Sequence, residues 1–320
     1  MKLFRKDKKN SIPKNQGAAQ PTMKTHPDLQ VISGSQISRP ATKPQTGATQ
    51  PSPQNITLPG VEYKIAVASG KGGVGKSTVA TNMAIALSQE GAKVGLMDAD
   101  AYGPSIPTMM GINEQPQVGQ DKKIIPLVSH GIKLMSIGFM VADGQAMIWR
   151  GPMLHKAIRD FLTEVNWGEL DYLIIDLPPG TGDVALSLTQ AIPLTGAVIV
   201  TTPQDVALAD VRRGAAMFER LEVPILGVIE NMSYFLCPHC GERTDIFRSD
   251  GGKNTSEKLG VSFLGQIPID AEICTAGDLG VPIVASNSDS PQSAAFRDVA
   301  NQLVEELRNR GPEDELKIIS

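Results

Sequence analysis

The sequence Ile65-Ala-Val-Ala-Ser-Gly70-Lys71-Gly72-Gly73-Val74-Gly75-Lys76-Ser77-Thr78 decides the fold of this chain. Its first half is a short apolar run typical of a buried parallel strand, and its second half fits the pattern G-x-x-x-x-G-K-[ST]. The glycines permit a tight turn whose N–H groups point at a phosphate, and the helix predicted over 76–89 presents its positive N-terminal end to the same anion. We therefore predict a nucleotide-binding loop formed by Gly70, Lys71, Gly72, Gly73, Val74, Gly75, Lys76, Ser77 and Thr78.

Two side chains of this loop have defined tasks in the pattern. Lys76 is expected to reach the β- and γ-phosphates, and the Ser77 hydroxyl is expected to ligate Mg²⁺. Lys71 is a further cation, at a position that the turn itself leaves free. This second lysine resembles the deviant Walker A class of P-loop ATPases, in which it crosses a dimer interface to the partner's nucleotide. The resemblance implies a catalytic Lys71 and a homodimer; the alternative is a solvated surface lysine.

The composition is that of an ordinary globular protein. Of the 320 residues, 41% are hydrophobic and 20% are charged, and no apolar run approaches the ~18 residues that span a bilayer. The basic start of the chain is not followed by an apolar signal region. Two of the three cysteines form C-x-x-C, which in a reducing compartment indicates metal or redox chemistry. We expect a cytoplasmic protein with no membrane partner.

Residues 1–60 form a separate segment. They contain nine Lys/Arg and two Asp/Glu, are rich in Pro, Gln, Thr, Ser and Asn, and include one aromatic residue, Phe4. Such a composition buries too little apolar surface to offset the entropy of ordering, so we expect a disordered basic tail. A solvated tail is favoured over one that weakly contacts an anionic partner. Residues 311–320 are expected to be a flexible C-terminus.

From Tyr63 onward, continuous apolar strands alternate with helices. This pattern predicts a single α/β domain over 61–310, with a mostly parallel central sheet flanked by helices on both faces. In such a sheet the ligand lies at the carboxyl ends of the strands, where Asp98, Asp100 and Asp176 are predicted. Asp176 closes Leu-Ile-Ile-Asp as a Walker B carboxylate does and is assigned to Mg²⁺. Helix capping is the alternative for such carboxylates.

The resemblance to deviant Walker A ATPases assigns the other two carboxylates. It implies that Asp100 positions the attacking water and that Asp98 belongs to the Mg²⁺ shell. The turn that contains Gly180 and Gly182 is expected to sense the γ-phosphate, as a GTPase switch does. Asn231 follows a strand where proteins of this class bind the adenine edge, and its carboxamide offers both a donor and an acceptor.

The cysteine pair lies in Cys237-Pro-His-Cys240. A structural zinc needs four ligands, His239 is expected to point away, and Cys274 is expected to be a small buried apolar residue. Two chains that each donate Cys237 and Cys240 would supply four thiolates at a symmetry axis. Chemistry alone leaves a Zn–S₄ site and an iron–sulfur cluster equally open, with unbound thiols as a further alternative.

A wider resemblance favours the cluster. Six ordered segments are similar to the Mrp/ApbC family of dimeric ATPases that carry iron–sulfur clusters: Ser69–Thr78, Asp98–Pro107, Trp149–Met153, Asp171–Asp183, Thr202–Leu208 and Asn231–Cys240. The resemblance implies a SIMIBI-like P-loop NTPase fold, slow ATP hydrolysis, and a labile 4Fe–4S cluster bridged by Cys237 and Cys240 of two subunits.

The same resemblance implies the partners, which are cluster donors and recipient apo iron–sulfur proteins, with no nucleic acid. Many bacterial members carry a small folded domain where this chain has its basic tail, so the choice of recipients is open. The alternative function is a MinD/ParA-like positioning ATPase with a structural zinc knuckle.

Overall fold

A single eight-stranded sheet organises the part of the chain that the computed structural model describes, residues 56–140, 151–180, 183–247 and 250–311. Its strands are β1 (Val61–Ala68), β2 (Val94–Asp98), β3 (Leu127–Ser129), β4 (Ile132–Ser136), β5 (Leu170–Asp176), β6 (Gly196–Thr201), β7 (Ile225–Glu230) and, after the short pair β8 (Phe235–Leu236) and β9 (Arg243–Thr244), β10 (Phe263–Gln266). Their order is β10-β7-β6-β1-β5-β2-β4-β3.

All neighbours in this sheet are parallel except the edge strand β3, which runs antiparallel to β4. The strands β2 and β6 are buried at every residue, and β1 and β5 are buried over their C-terminal halves, because both faces of the sheet are covered there. The register places Asp176 of β5 opposite Asp98 of β2 and beside Val67 of β1. Three strand ends therefore meet at the start of the glycine-rich turn.

The helices described are α1 (Lys76–Gln89), α2 (Ile106–Met109), α3 (Gly151–Thr163), α4 (Asp183–Ala191), α5 (Asp205–Arg220), α6 (Gly251–Leu259), α7 (Ala271–Asp278), α8 (Ile283–Ser286) and α9 (Pro291–Arg310). Helix α9 begins with Pro291 in its first turn, and the Ser290 side chain accepts a hydrogen bond from the Ser293 N–H. Helix α1 packs beside α9 and is buried over most of its length. In the described residues we find no helix with the length and hydrophobicity that a membrane span requires.

The predicted α/β architecture with a mostly parallel sheet is confirmed, and α1 has the predicted bounds. The sequence also predicts a strand from Ile124 to Val128 that pairs with one from Ile132 to Ile137 through the turn around His130 and Gly131. The pairing is confirmed, but the first strand is wrong at its start. Pro126 has no N–H to donate to a sheet, so β3 begins at Leu127, and Ile124 forms only isolated bridges with Val118 and Val165. The predicted disordered tail, apart from its last five residues, and the predicted flexible C-terminus, from residue 312, lie outside the described residues, as do Trp149 and Arg150.

Candidate functional site

The glycine-rich turn between β1 and α1 forms an open cradle. Gly73 and Gly75 have φ angles of 80° and 78°, in the left-handed region that glycine adopts without strain. A Cβ atom at Gly73 would meet nothing within 4 Å. Helix α1 begins without a side-chain cap at Gly75, so its first N–H groups are available to an anion. These features fit a bound phosphate group.

Lys76 and Ser77 both contact Asp176 at the base of this cradle. The Lys76 Nζ lies 2.6 Å from the Asp176 Oδ1, and the Ser77 hydroxyl donates to Oδ2 at 2.5 Å. Asp176 is completely buried and Lys76 is 6% exposed. A hydroxyl beside a carboxylate is a hard-oxygen pair of the kind that Mg²⁺ prefers, so these residues fit the predicted metal.

The other two predicted carboxylates lie beside this group. The Asp98 Oδ2 accepts a hydrogen bond from the Ser136 hydroxyl at 2.8 Å, and its Oδ1 accepts one from the Asp100 N–H at 3.1 Å. The Asp100 Oδ2 is 3.8 Å from the Lys76 Nζ. The structure thus brings all three predicted carboxylates to one end of the sheet.

Burial dominates the electrostatics of this carboxylate group. It raises the pKa of Asp98 to about 7, and the nearby charge of Asp176 adds to the effect. Burial also raises the pKa of Asp176, against the opposing influence of Lys76. Two buried carboxylates beside one ammonium group favour a further positive charge, which a divalent cation supplies when it is bound.

Asn231 follows β7 and closes one side of the cradle. It is 5% exposed, and its Nδ2 donates to the Val74 carbonyl oxygen at 2.9 Å. A Cβ atom at Gly75 would lie 2.2 Å from this nitrogen, so only glycine fits beside Asn231. The amide therefore braces the phosphate-binding turn, and its predicted contact with adenine stays a prediction.

Lys71 and Gly180 both form hydrogen bonds with Ser69, at the start of the turn. The Lys71 side chain is half-buried, and the backbone carbonyl oxygen of Lys71 accepts a hydrogen bond from the Ser69 hydroxyl at 3.0 Å. The Gly180 N–H donates to the Ser69 carbonyl at 2.8 Å, which ties the predicted switch turn to the phosphate-binding turn. Gly182 lies outside the described residues, and the role of Lys71 across a dimer stays a prediction.

Cys237 and Cys240 occupy the turn of a short antiparallel pair, β8 and β9, which we call the cysteine hairpin (residues 235–244). The Cys237 N–H donates to the Glu242 carbonyl at 2.9 Å, and the Gly241 N–H donates to the Cys237 carbonyl at 2.8 Å. Cys237 is half-buried and Cys240 is exposed. Hydrogen bonds from the Cys240 and His239 backbone lower the pKa of the Cys237 thiol, with a further contribution from the Cys240 side chain.

Among the residues that the structure describes, neither cysteine has enough partners from its own chain for a metal site. Across the described ranges, no group of three or more His, Cys, Asp or Glu side chains is arranged to hold a metal ion. His239 is exposed beside the two cysteines. The structure thus presents two accessible sulfur ligands at the tip of one hairpin.

The prediction for Cys274 is wrong. This residue was expected to be buried, and it is exposed on α7, with its Sγ 3.8 Å from the Asp278 Oδ2. Helix α7 contains no buried residue, because it lies at the periphery of the domain. An apolar environment for the thiol does not form there.

Sequence reasoning also missed Glu230 and Arg243. Glu230 is completely buried at the end of β7, next to Asn231. The Arg243 guanidinium lies 4.0 Å from the centre of the Tyr234 ring and donates to the Gln266 Oε1 at 3.0 Å. A carboxylate that closes an apolar strand was a usable signal for Glu230, whereas Arg243 gave none.

Comparison with known proteins identifies the family. The sequence model of the protein family described as NUBPL iron-transfer P-loop NTPase (ParA) matches residues 60–304 of this chain. The chain belongs to this family. The resemblance to the Mrp/ApbC carriers is thereby confirmed, since members of the NUBPL family and bacterial cluster carriers are both similar to this chain over most of its length.

Two curated relatives are similar to this NUBPL-family chain over most of its length. It is 50% identical over 264 residues to the iron-sulfur cluster transfer protein NUBPL of Dictyostelium discoideum, covering 82% of each chain. It is 52% identical over 255 residues to the iron-sulfur cluster carrier protein of Aquifex aeolicus (strain VF5), covering 79% of this chain and 70% of the relative.

A solved structure supports the P-loop NTPase fold of this NUBPL-family member. It is the nucleotide-binding protein of Archaeoglobus fulgidus in complex with ADP, with 41% identity and a TM-score of 0.65. The similarity covers 75% of this chain and 93% of that chain.

Proposed function

We propose that this chain binds ATP, hydrolyses it slowly and carries a labile 4Fe–4S cluster at a homodimer interface for transfer to apoproteins. The observation that carries the proposal is the pair Cys237 and Cys240, accessible at the tip of the cysteine hairpin, with a lowered pKa at Cys237. Thiolates are the ligands that iron–sulfur clusters take, and the hairpin follows directly after the segment that braces the phosphate-binding turn.

The nucleotide site supplies positioning and charge. Bound Mg²⁺ would neutralise charge on the phosphates, held by the Ser77 hydroxyl and Asp176 with Asp98 behind them. Lys76 gives its ammonium to the β- and γ-phosphates, and the N–H groups of the turn hold the phosphate oxygens. Asp100, 3.8 Å from Lys76, orients the attacking water, and Lys71 reaches the nucleotide of the partner subunit.

The cluster is the cargo of this protein. Each chain offers Cys237 and Cys240, so two chains facing each other across a two-fold axis supply the four thiolates that a 4Fe–4S cluster needs. A cluster held at an exposed hairpin tip is accessible to the thiols of a recipient protein. Accessibility at a shared interface thus favours delivery over permanent retention.

The names of the relatives favour this function over the MinD/ParA-like alternative with a zinc knuckle. At 50% and 52% identity, they are called cluster transfer and cluster carrier proteins. We assign the carrier function to residues 61–310, with cluster donors and apo iron–sulfur proteins as partners. We propose a cytoplasmic location, where reducing conditions would keep Cys237 and Cys240 as thiols.

Anaerobic reconstitution of the full chain with iron and sulfide tests the proposal. We expect one 4Fe–4S cluster per two chains by iron and sulfide analysis, a dimer by light scattering, and activation of an apo iron–sulfur enzyme. Cys237→Ala and Cys240→Ala should each abolish the chromophore and the transfer but retain nucleotide binding. Cys274→Ala is the matched control, since it removes an exposed thiol outside the hairpin. Zinc in protein purified without oxygen, with no cluster transfer, would contradict the proposal.

A further inference from the structure

A short segment joins the phosphate-binding turn to the cysteine hairpin. This connector (residues 230–234) begins at the end of β7 and leads directly into β8. Backbone hydrogen bonds of 2.7–2.9 Å fix it to the chain after β10, from Ile267 N–H to the Glu230 carbonyl, from Ser233 N–H to the Ile267 carbonyl and from Ile269 N–H to the Tyr234 carbonyl. The connector is therefore held at both ends, and Asn231 within it contacts the phosphate-binding turn.

Glu230 anchors the connector from inside the domain. Its Oε1 accepts hydrogen bonds from the Ser233 hydroxyl at 2.5 Å and from the Gln266 Nε2 at 3.2 Å, and its Oε2 accepts one from the Gly252 N–H at the start of α6. Three donors around a completely buried carboxylate stabilise it in a fixed orientation. A displacement of the connector thus moves a group to which Gln266 is bonded.

Gln266 bonds to both Glu230 and the cysteine hairpin. Its Nε2 donates to Glu230, while its Oε1 accepts from the Arg243 Nη2 at 3.0 Å. A neutral amide can donate to a carboxylate and accept from a guanidinium at the same time, whereas a carboxylate at this position would repel Glu230 and a cation would repel Arg243.

Arg243 is the residue of the cysteine hairpin that bonds to Gln266. It pairs with Leu236 across the hairpin, covers the Tyr234 ring at 4.0 Å and bonds the Asp245 Oδ1 at 3.1 Å. The strands β8 and β9 have only two residues each, and so short a pair has little stability of its own. The contacts of Arg243 therefore hold the hairpin in its position against the domain.

We propose that Gln266 and Arg243 are positioning residues that couple the phosphate-binding turn to Cys237 and Cys240, so that bound nucleotide changes the reactivity of the two thiols. When nucleotide binding shifts the phosphate-binding turn, Asn231 shifts with it, because its amide bonds the Val74 carbonyl and leaves no room for a side chain at Gly75. The connector and Glu230 then displace Gln266 and Arg243. The inference rests on the proposed function only in assigning the cluster to the hairpin; the coupling itself concerns the cluster-free protein.

The test measures alkylation of the two cysteines by iodoacetamide in the full-length, cluster-free chain without oxygen, with site-resolved mass spectrometry. The rates are compared with and without a non-hydrolysable ATP analogue and Mg²⁺. We expect the nucleotide to change the rate at Cys237 or Cys240 by about fivefold or more, the lower end of ordinary coupling between sites. Gln266→Met and Arg243→Met should each remove most of this change while nucleotide affinity is retained.

A double-mutant cycle makes the test specific. If the two residues act in one series, the Gln266→Met/Arg243→Met double variant should show the same residual effect as either single variant. Gln302→Met, an exposed substitution of the same type on α9, is the control and should keep the full nucleotide effect. Independent, additive losses would overturn the series arrangement.

An unchanged alkylation rate in the unmodified chain on nucleotide binding would overturn the coupling, as would a full nucleotide effect in Gln266→Met. Failure of the proposed function has a different signature, since it is the absence of a transferable cluster after reconstitution. A nucleotide effect on alkylation in a protein that takes up no cluster would leave the coupling in place and refute the carrier function alone.

Discussion

The ammonium group of Lys76 lies 2.6 Å from the Oδ1 of Asp176, and the two residues form a buried ion pair at the base of the phosphate-binding turn. One residue begins α1 and the other ends β5, so the pair joins the two elements that the nucleotide site needs. We propose that Lys76 supplies the positive charge for the phosphates and that Asp176 supplies the carboxylate for the metal.

Lys76→Ala should abolish nucleotide binding, because the site loses its main phosphate cation. The change also leaves Asp176 buried without its partner, a situation that costs ~3–5 kcal/mol of stability when the charge is retained. Equilibrium binding of a fluorescent ATP analogue and urea unfolding measure the two effects separately. Lys156→Ala, which breaks an exposed ion pair with Asp160, is the control. Normal ATP turnover by Lys76→Ala would refute the assignment.

Asp176→Asn should retain nucleotide and lose Mg²⁺-dependent turnover. The amide keeps the size of the side chain. Its oxygen can still accept from Lys76, and its NH₂ group can donate to the Ser77 hydroxyl oxygen, but the amide is a poor metal ligand. Nucleotide affinity with and without Mg²⁺, together with phosphate release, checks this. Asp160→Asn, a change of the same type at a half-buried residue that pairs with Lys156, should change neither quantity. An Mg²⁺ dependence like that of the unmodified protein would show that Asp176 is only a structural partner of Lys76.

Gly75→Ala should destabilise the nucleotide-free protein more than Gly73→Ala does. Both positions have positive φ angles, which cost a side chain about 1–2 kcal/mol. Only at Gly75 would the added Cβ also meet Asn231, at 2.2 Å from its Nδ2, whereas at Gly73 it meets nothing within 4 Å. Urea unfolding without nucleotide isolates the steric difference. Equal losses of stability would mean that Asn231 moves away at little cost.

Lys71→Ala should lower ATP hydrolysis and leave the unfolding transition of the chain unchanged, if the lysine acts on the partner's nucleotide. Mixing Lys71→Ala chains with Lys76→Ala chains should then give an activity that is not the average of the two parents. Phosphate release across a series of mixing ratios measures this. Turnover by Lys71→Ala equal to that of the unmodified protein would return Lys71 to the solvated-surface alternative.

Cys237 should be alkylated with a pH midpoint below that of the same residue in the urea-unfolded chain. Its lowered pKa means that the reactive thiolate forms at lower pH in the folded protein. Because most of the effect comes from the Cys240 and His239 backbone, Cys240→Ser should keep a lowered midpoint. Site-resolved mass spectrometry over a pH series gives the profile, and coincident midpoints in folded and unfolded protein would contradict the expectation.

The sequence by itself determined the parts of this protein that depend on local pattern. The phosphate-binding turn needs glycines and a Lys-Ser pair at fixed spacing, and the alternation of apolar strands with helices fixes a parallel sheet whose strand ends meet. The sequence therefore predicts that Asp98, Asp100 and Asp176 lie close together, as they do. The pairing of β3 with β4 through His130 and Gly131 was predicted for the same local reason, and both residues have positive φ angles.

Tertiary structure alone decided which distant groups meet. Lys76 and Asp176 are 100 residues apart and Val74 and Asn231 are 157 apart, so no periodicity could have paired their atoms. Burial is likewise a property of the assembled domain: Cys274 was expected inside and lies outside, because α7 packs at the periphery. The contact of Arg243 with Gln266 depends on how a short hairpin lies against the edge strand β10, which is set by packing and not by sequence spacing.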